Sequence, residues 1–154
     1  MRTINKRSLI IVILRISIGF IFLYSGIDKL LNDFSSEGYL AYATSGPFKD
    51  FFSEMAGNSI IDFLVVYGQI GIGLSLLLGV LTRFGSICGV IMMVLFYISA
   101  LPAEHGPIDD HIIYALVFIQ LGIFGAGRYL GVDKYIGNSD FVKNHFKYFR
   151  FILG

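Results

Sequence analysis

The chain has 154 residues, a formal net charge of +1, 55% hydrophobic and 15% charged residues, and a mean hydropathy of +0.72. A single domain with so few charges is too apolar for a soluble globule, and its near-neutral balance gives no electrostatic footprint for nucleic acid. The lone cysteine, Cys88, excludes an internal disulfide framework, a CxxC redox pair and a cysteine-ligated metal centre; within an apolar run it reads as a small packing residue.

A basic start (Arg2, Lys6, Arg7) precedes an apolar run over residues 9–31. The run is too long for a signal peptide and has no small-x-small cleavage site, so it is expected to be a retained first span. Arg15, Gly19, Phe22, Gly26 and Lys29 recur at helical spacing, which puts both charges on the glycine face and points them into a bundle. Arg15 can equally serve as a snorkelling anchor or pair with an acid of the C-terminal segment.

Residues 32–59 form a polar interlude. After Gly46-Pro47, residues Phe48, Phe51, Phe52 and Met55 fall on one helical stripe with Lys49, Asp50 and Glu54 around it. This predicts a surface helix over 47–56, lying on the membrane or docking a partner.

Two further spans are expected over 60–81 and 84–101. The stretch GQIGIGLSLLLGVLTR has small residues at Gly71, Ser75 and Gly79, followed by Gly85 and Gly89. In water that glycine load would weaken a helix, whereas in lipid it lets backbones approach closely. The spacing predicts a tightly packed helix pair with a turn at 81–83. A fourth, brief span is expected over 111–127, after the acidic loop AEHGPIDDH. An amphipathic tail helix is expected over 139–153, with Val142, Phe146, Phe149 and Leu153 opposite Lys143, Lys147 and Arg150.

The distribution of Lys and Arg predicts a multi-pass protein of the plasma membrane with both termini cytoplasmic. The fold class is thus an all-α integral membrane four-helix bundle, with an interfacial helix after the first span and a cytoplasmic amphipathic tail helix, all in one domain.

Two polar clusters are expected at opposite ends. The outer one gathers Asp28, Lys29, Asp62, Gln69, Glu104, His105, Asp109, Asp110 and His111. His111, Tyr114 and Phe118 share a helix face, an arrangement suited to a quinone headgroup: histidine and tyrosine can hydrogen-bond its oxygens, His111 can move protons near neutral pH, and aromatic rings can hold the ring. The same acids beside a histidine also read as ordinary helix capping. The His/Asp spacing matches no familiar metal site, and a haem would need a second histidine at matched depth. The inner cluster is Arg15, Arg83, Arg128 and Asp133, read as structural ion pairing or as an anion site.

The segments LRISIGFIFLYSGIDKL, GQIGIGLSLLLGVLTR, HGPIDDHIIYALVFIQLGIFGAGR and YLGVD, in this order over residues 14–135, resemble the DoxX/DoxD-like membrane family, which includes the membrane subunit of thiosulfate:quinone oxidoreductase. The resemblance implies a four-helix membrane bundle linked to quinone-coupled sulfur oxidation or to redox complexes that handle thiol stress. Its matching polar positions here are Arg15, Lys29, Gln69, Arg83, His111 and Arg128; family members often carry a glutamate where this chain has Gln69.

The leading expectation is a subunit of a quinone-linked redox complex. His111, Tyr114 and Asp110 would carry the chemistry, and Tyr97, Phe118, Gln69, Lys29 and Asp62 would hold the quinone. No haem, flavin or metal is expected, so electrons from thiosulfate or another reduced sulfur compound would pass directly from substrate to quinone or arrive through a second redox subunit that bears a cofactor. Beyond the lipid bilayer, a homo-oligomer is compatible with the sequence. The rival expectations are a non-catalytic scaffold that recruits a partner, and a small-molecule or lipid binder or transporter.

Overall fold

Pro47, Pro102 and Pro107 all fall between the long apolar runs, so nothing removes a backbone donor from inside them and each can close as an uninterrupted helix. The computed structural model describes residues 5–101, 106–138 and 153. Helix α1 spans Lys6–Leu31, α2 Lys49–Ser53, α3 Ser59–Leu78, α4 Thr82–Ser99, α5 Asp110–Phe124 and α6 Asp133–Asn138. A π-helical turn, Tyr39–Ala43, and 3-10 turns at Gly46–Phe48 and Ala126–Arg128 fill the connections. Among the described residues the only extended pairing is an isolated bridge between Ser45 and Ala100.

Local chemistry sets the helix ends. The Asn58 side chain accepts from the Ile60 amide at 3.0 Å and opens α3; Asp109 does the same for α5, accepting from Ile112 at 3.1 Å. Helix α3 stops at Gly79, whose φ of 67° is left-handed and lets the Val80 amide return to the Ser75 carbonyl at 2.9 Å. The turn therefore occupies residues 79–81, and Thr82 and Arg83 already belong to α4. That corrects the turn expected at 81–83, because the glycine rather than the polar pair ends the helix.

Facing residues show that consecutive long helices run antiparallel. Gly26 lies against Ile70 and Gly19 against Leu76; Gly68 meets Met92 and Gly85 meets Ser75; Gly89 lies against Phe118 and Gly122 against Ser86. The broad seams are α1 with α3 and α4 with α5, while α3 and α4 share a narrower one. The expected tight pair of α3 and α4 holds beside the turn, where Gly85 closely approaches Ser75, but most of the glycine contacts serve other seams. Gly73 is spent on the backbone of Leu23 in α1, Gly89 takes the ring of Phe118, and Gly71 faces open space. The shared core joins Ile18, Phe22, Ile72, Leu76, Met93, Ala115, Phe118 and Leu121. Phe22 and Phe118 meet edge to face, with ring centroids 4.9 Å apart.

The surface helix is shorter than the expected 47–56: a 3-10 turn leads into α2, which ends at Ser53. The expected stripe splits, with Phe52 buried and Phe48 and Phe51 exposed, because one helical turn cannot hold an i to i+7 face inward. The tail helix expected over 139–153, apart from Leu153, and the loop residues Glu104 and His105 lie outside the described residues.

Three described helices, α1, α3 and α4, are long and apolar enough to cross a bilayer. Helix α5 is apolar but has 15 residues, about 22 Å at 1.5 Å per residue, against a hydrocarbon core of about 30 Å. Phe20, Leu31, Ile60, Phe63, Leu116 and Ile123 all point outward and exposed. An apolar exterior on this scale would aggregate in water; it belongs to a membrane protein in a lipid bilayer.

Candidate functional site

The antiparallel order places the start of α1, the α3–α4 turn and the segment after α5 at one end of the bundle. The other end holds the C-terminal turns of α1 and α4 and the first turns of α3 and α5. Each end carries one of the expected polar clusters.

At the first end Arg15 is 1% exposed. Its Nη1 donates to the Ala126 carbonyl at 3.0 Å and its Nη2 to the Leu130 carbonyl at 3.2 Å, while Nε has no partner among the described residues. Gly79 and Gly131 pack against the guanidinium. Asp133, equally buried, accepts from the Leu81 amide at 2.7 Å and, at its second oxygen, from the Thr82 amide at 3.0 Å and the Thr82 hydroxyl at 2.7 Å. It caps α4 from across the chain, where α4's own N-cap residue, Leu81, has no side-chain acceptor. The Thr82 hydroxyl then accepts from the Gly127 amide at 3.1 Å. The charge of Asp133 also acts on Arg15. Arg83 reaches α5 instead, its Nε donating to the Gly122 carbonyl at 3.2 Å, and Arg128 is exposed. The expected cluster is therefore a knot of charge-to-backbone bonds tying α1, α4 and the segment after α5. Thr82 and the accepting carbonyls were not foreseen, because a backbone acceptor leaves no mark in sequence.

At the second end the expected outer cluster divides in two. On α4 and α5, His111 Nδ1 lies 2.8 Å from Asp109 Oδ2, and the imidazole meets the Phe96 ring edge to face at 6.0 Å. The Tyr97 hydroxyl donates to the Pro107 carbonyl at 2.9 Å. Tyr114 is half-buried against the core, Phe118 is sealed within it, and Asp110 is exposed. The acid joined to His111 is thus Asp109, not Asp110: the N-cap residue turns back over the first turn, where Asp110 points away.

Burial pushes the Asp109 carboxyl up, but the hydrogen bonds from His111 and the Ile112 amide, with the charge of His111, outweigh it and hold the group below its ordinary value of 3.8. An ionised Asp109 accepts only, so Nδ1 carries the proton and Nε2 is the position open to exchange. A depressed carboxyl stabilises the fold fully above its ordinary value and loses that contribution as pH falls through the lowered one. Asp109→Asn should accordingly flatten the loss of Tm on acidification from pH ~5 to ~2, measured by circular dichroism in detergent. Superimposable profiles would remove Asp109 from the acid response.

On α1 and α3, Lys29 and Asp62 line a groove of about 220 Å³ with Asp33, Phe34, Phe63, Val66 and Tyr67. Asp62 Oδ1 accepts from the Ser36 amide at 2.7 Å and from its hydroxyl at 2.5 Å, and Lys29 Nζ lies 5.5 Å from the centre of the Phe34 ring. Gln69 is two turns along α3 from Asp62, buried against Gly26, with Oε1 unpartnered. Among the described residues, no hydrogen bond or ion pair joins the groove to His111, and no group of three or more His, Cys, Asp or Glu side chains could hold a metal.

A family model described as DoxX matches residues 10–101, which takes in α1 to α4 and stops short of the histidine-bearing helix. No curated protein and no solved structure matches the chain significantly.

Proposed function

The chain belongs to the DoxX family, and on that premise we propose that it is a multi-pass subunit of a quinone-linked redox complex, of the DoxD-like kind that takes electrons from thiosulfate or another reduced sulfur compound. The observation that carries this reading is the pair of His111 and Asp109, 2.8 Å apart and partly exposed at one mouth of the bundle. A quinone becomes a quinol by gaining two electrons and two protons. The electrons come from the sulfur donor through a partner subunit, and His111 Nε2 hands on protons while Asp109 fixes its tautomer and steadies the imidazolium. Tyr114 flanks the position; Tyr97 is committed to Pro107 and Phe118 to the core, so they act by holding α4 and α5 around it.

In this reading α5, continued by the Ala126–Arg128 turn, makes a fourth crossing with local bilayer thinning. Lys6, Arg7, Arg83, Arg128 and Lys134 gather at the Arg15 end, opposite Lys29 and Lys49, which supports that end as cytoplasmic in the plasma membrane. Exposed Phe48 and Phe51 suit an interfacial segment at the opposite end.

The test is quinol formation from thiosulfate by the complex in liposomes. His111→Ala should lower turnover about tenfold, below the usual range for a general acid–base residue because water reaches a half-exposed position. Full turnover in the variant sinks the assignment. A partner-recruiting subunit without chemistry of its own is the second reading, favoured by the outward Tyr42, Phe48 and Phe51 of the segment between α1 and α3; it expects no change in that same assay.

A further inference from the structure

The groove between α1 and α3 holds charges of both signs that do not neutralise one another. Lys29 rests on the Phe34 ring, and among the described residues it forms no salt bridge with Asp33 or Asp62, although all three line the same 220 Å³. Asp62 spends one oxygen on Ser36 and, among the described residues, has no hydrogen bond at the other. Unpaired opposite charges sharing a concave wall are complementary to a ligand that itself carries both signs. At about 220 Å³ the groove is smaller than a pocket that encloses a drug-sized ligand, so it suits a headgroup rather than a whole amphiphile.

Depth and surroundings point to the bilayer as the source. Lys29 lies in the last turn of α1 and Asp62 in the first turn of α3, the level at which headgroups meet hydrocarbon. Below them the rings of Phe63 and Tyr67 meet at a tilt, their centroids 4.6 Å apart on the outward face, where aromatic side chains sit at a membrane interface. Leu30 and Val66 complete an apolar wall along which acyl chains can run.

We propose that this groove binds the headgroup of a zwitterionic aminophospholipid, its phosphate on Lys29 and its primary ammonium on Asp33 and the free oxygen of Asp62. Two carboxylates against one lysine disfavour an anionic head without an amine. A quaternary ammonium cannot donate hydrogen bonds to the carboxylates, so a choline head binds less well than an ethanolamine head. The site is separate from the His111 pair and stands whether or not the redox reading does.

The experiment is native mass spectrometry of the full chain exchanged into mixed vesicles of phosphatidylethanolamine, phosphatidylcholine and phosphatidylglycerol of matched acyl chains. One ethanolamine lipid should be retained in preference to the other two. Asp33→Asn is the informative variant, since Asp33 makes no hydrogen bond to another described residue and its loss leaves the Ser36–Asp62 contact intact. That variant should weaken the preference about fivefold, the scale of one exposed ion pair, whereas Lys29→Gln should lower retention of all three lipids, which share the phosphate, and leave the preference for the ethanolamine head. Equal retention of the three lipids overturns the proposal, and so does a preference that Asp33→Asn keeps or retention that Lys29→Gln leaves unchanged. Retention of phosphatidylglycerol above the others would mean a simple cationic site and overturns it as well.

Discussion

Asp133→Ala should be among the most damaging single substitutions in the described bundle, costing about 4 kcal/mol of stability, the scale of removing one member of a buried charge network. The carboxylate is 1% exposed and receives three hydrogen bonds from Leu81 and Thr82. Alanine leaves two amides at the start of α4 without acceptors in a place water does not reach, and each orphaned group costs about 1–3 kcal/mol. The negative charge acting on buried Arg15 is lost too. Asp133→Asn separates these effects: one oxygen still accepts an amide hydrogen, and the new amino group can donate to the Thr82 hydroxyl. Thermal unfolding in detergent should therefore rank wild type above Asn above Ala. If Asn and Ala are equally destabilised, charge dominates and capping adds little; if Ala matches wild type, the knot does not hold the bundle together.

The same knot shows which parts of the molecule are legible in sequence. That Arg15 points inward followed from its spacing with Gly19, Phe22 and Gly26, because helical periodicity is a local property. What Arg15 touches did not follow. Its acceptors are the carbonyls of Ala126 and Leu130, more than a hundred residues away, and every residue has a carbonyl. Asp133 was legible as the nearest acid but not as a cap for α4, since caps are ordinarily sought immediately before the helix they serve.

The outer end divides in the same way. Helical spacing puts His111 and Tyr114 on one face; His111 is partly exposed beside Asp109, while Tyr114 is half-buried against the core. That Asp109 rather than Asp110 meets His111 is not legible in sequence, because the residue one step before a helix folds back over it, a geometry decided by φ and ψ rather than by residue type. Lys29 and Asp62 were both marked as polar positions at one depth. Their separation from His111 depends on which helices are neighbours: α1 packs broadly on α3, and α4 on α5. Asp33, Phe34, Phe63 and Tyr67 entered the groove unannounced, because it is made where α1 ends and α3 begins, and single-chain periodicity carries no information across that gap.

The glycines of α3 give the cleanest case of two alternatives that composition cannot separate, and they set the second large effect. Gly71 and Gly73 are two residues apart and so point to different faces of the helix. A β-carbon on Gly73 would lie 2.5 Å from the Leu23 amide nitrogen and 2.7 Å from its α-carbon, whereas one on Gly71 would meet nothing within 4 Å. Backbone atoms cannot rotate aside, so Gly73→Ala must push α1 and α3 apart. We expect it to cost about 3 kcal/mol, the upper end for overpacking a close-packed interior. Gly71→Ala meets no neighbour and gains only the helix preference of alanine over glycine, up to about 1 kcal/mol. Unfolding of the two variants side by side in the same detergent should put Gly73→Ala below wild type and Gly71→Ala at or above it. Equal losses would mean that glycine is needed at both positions for a reason other than close approach. The reverse order would put Gly71, not Gly73, in the tight seam, as the four-residue spacing of Gly71, Ser75 and Gly79 alone would have it.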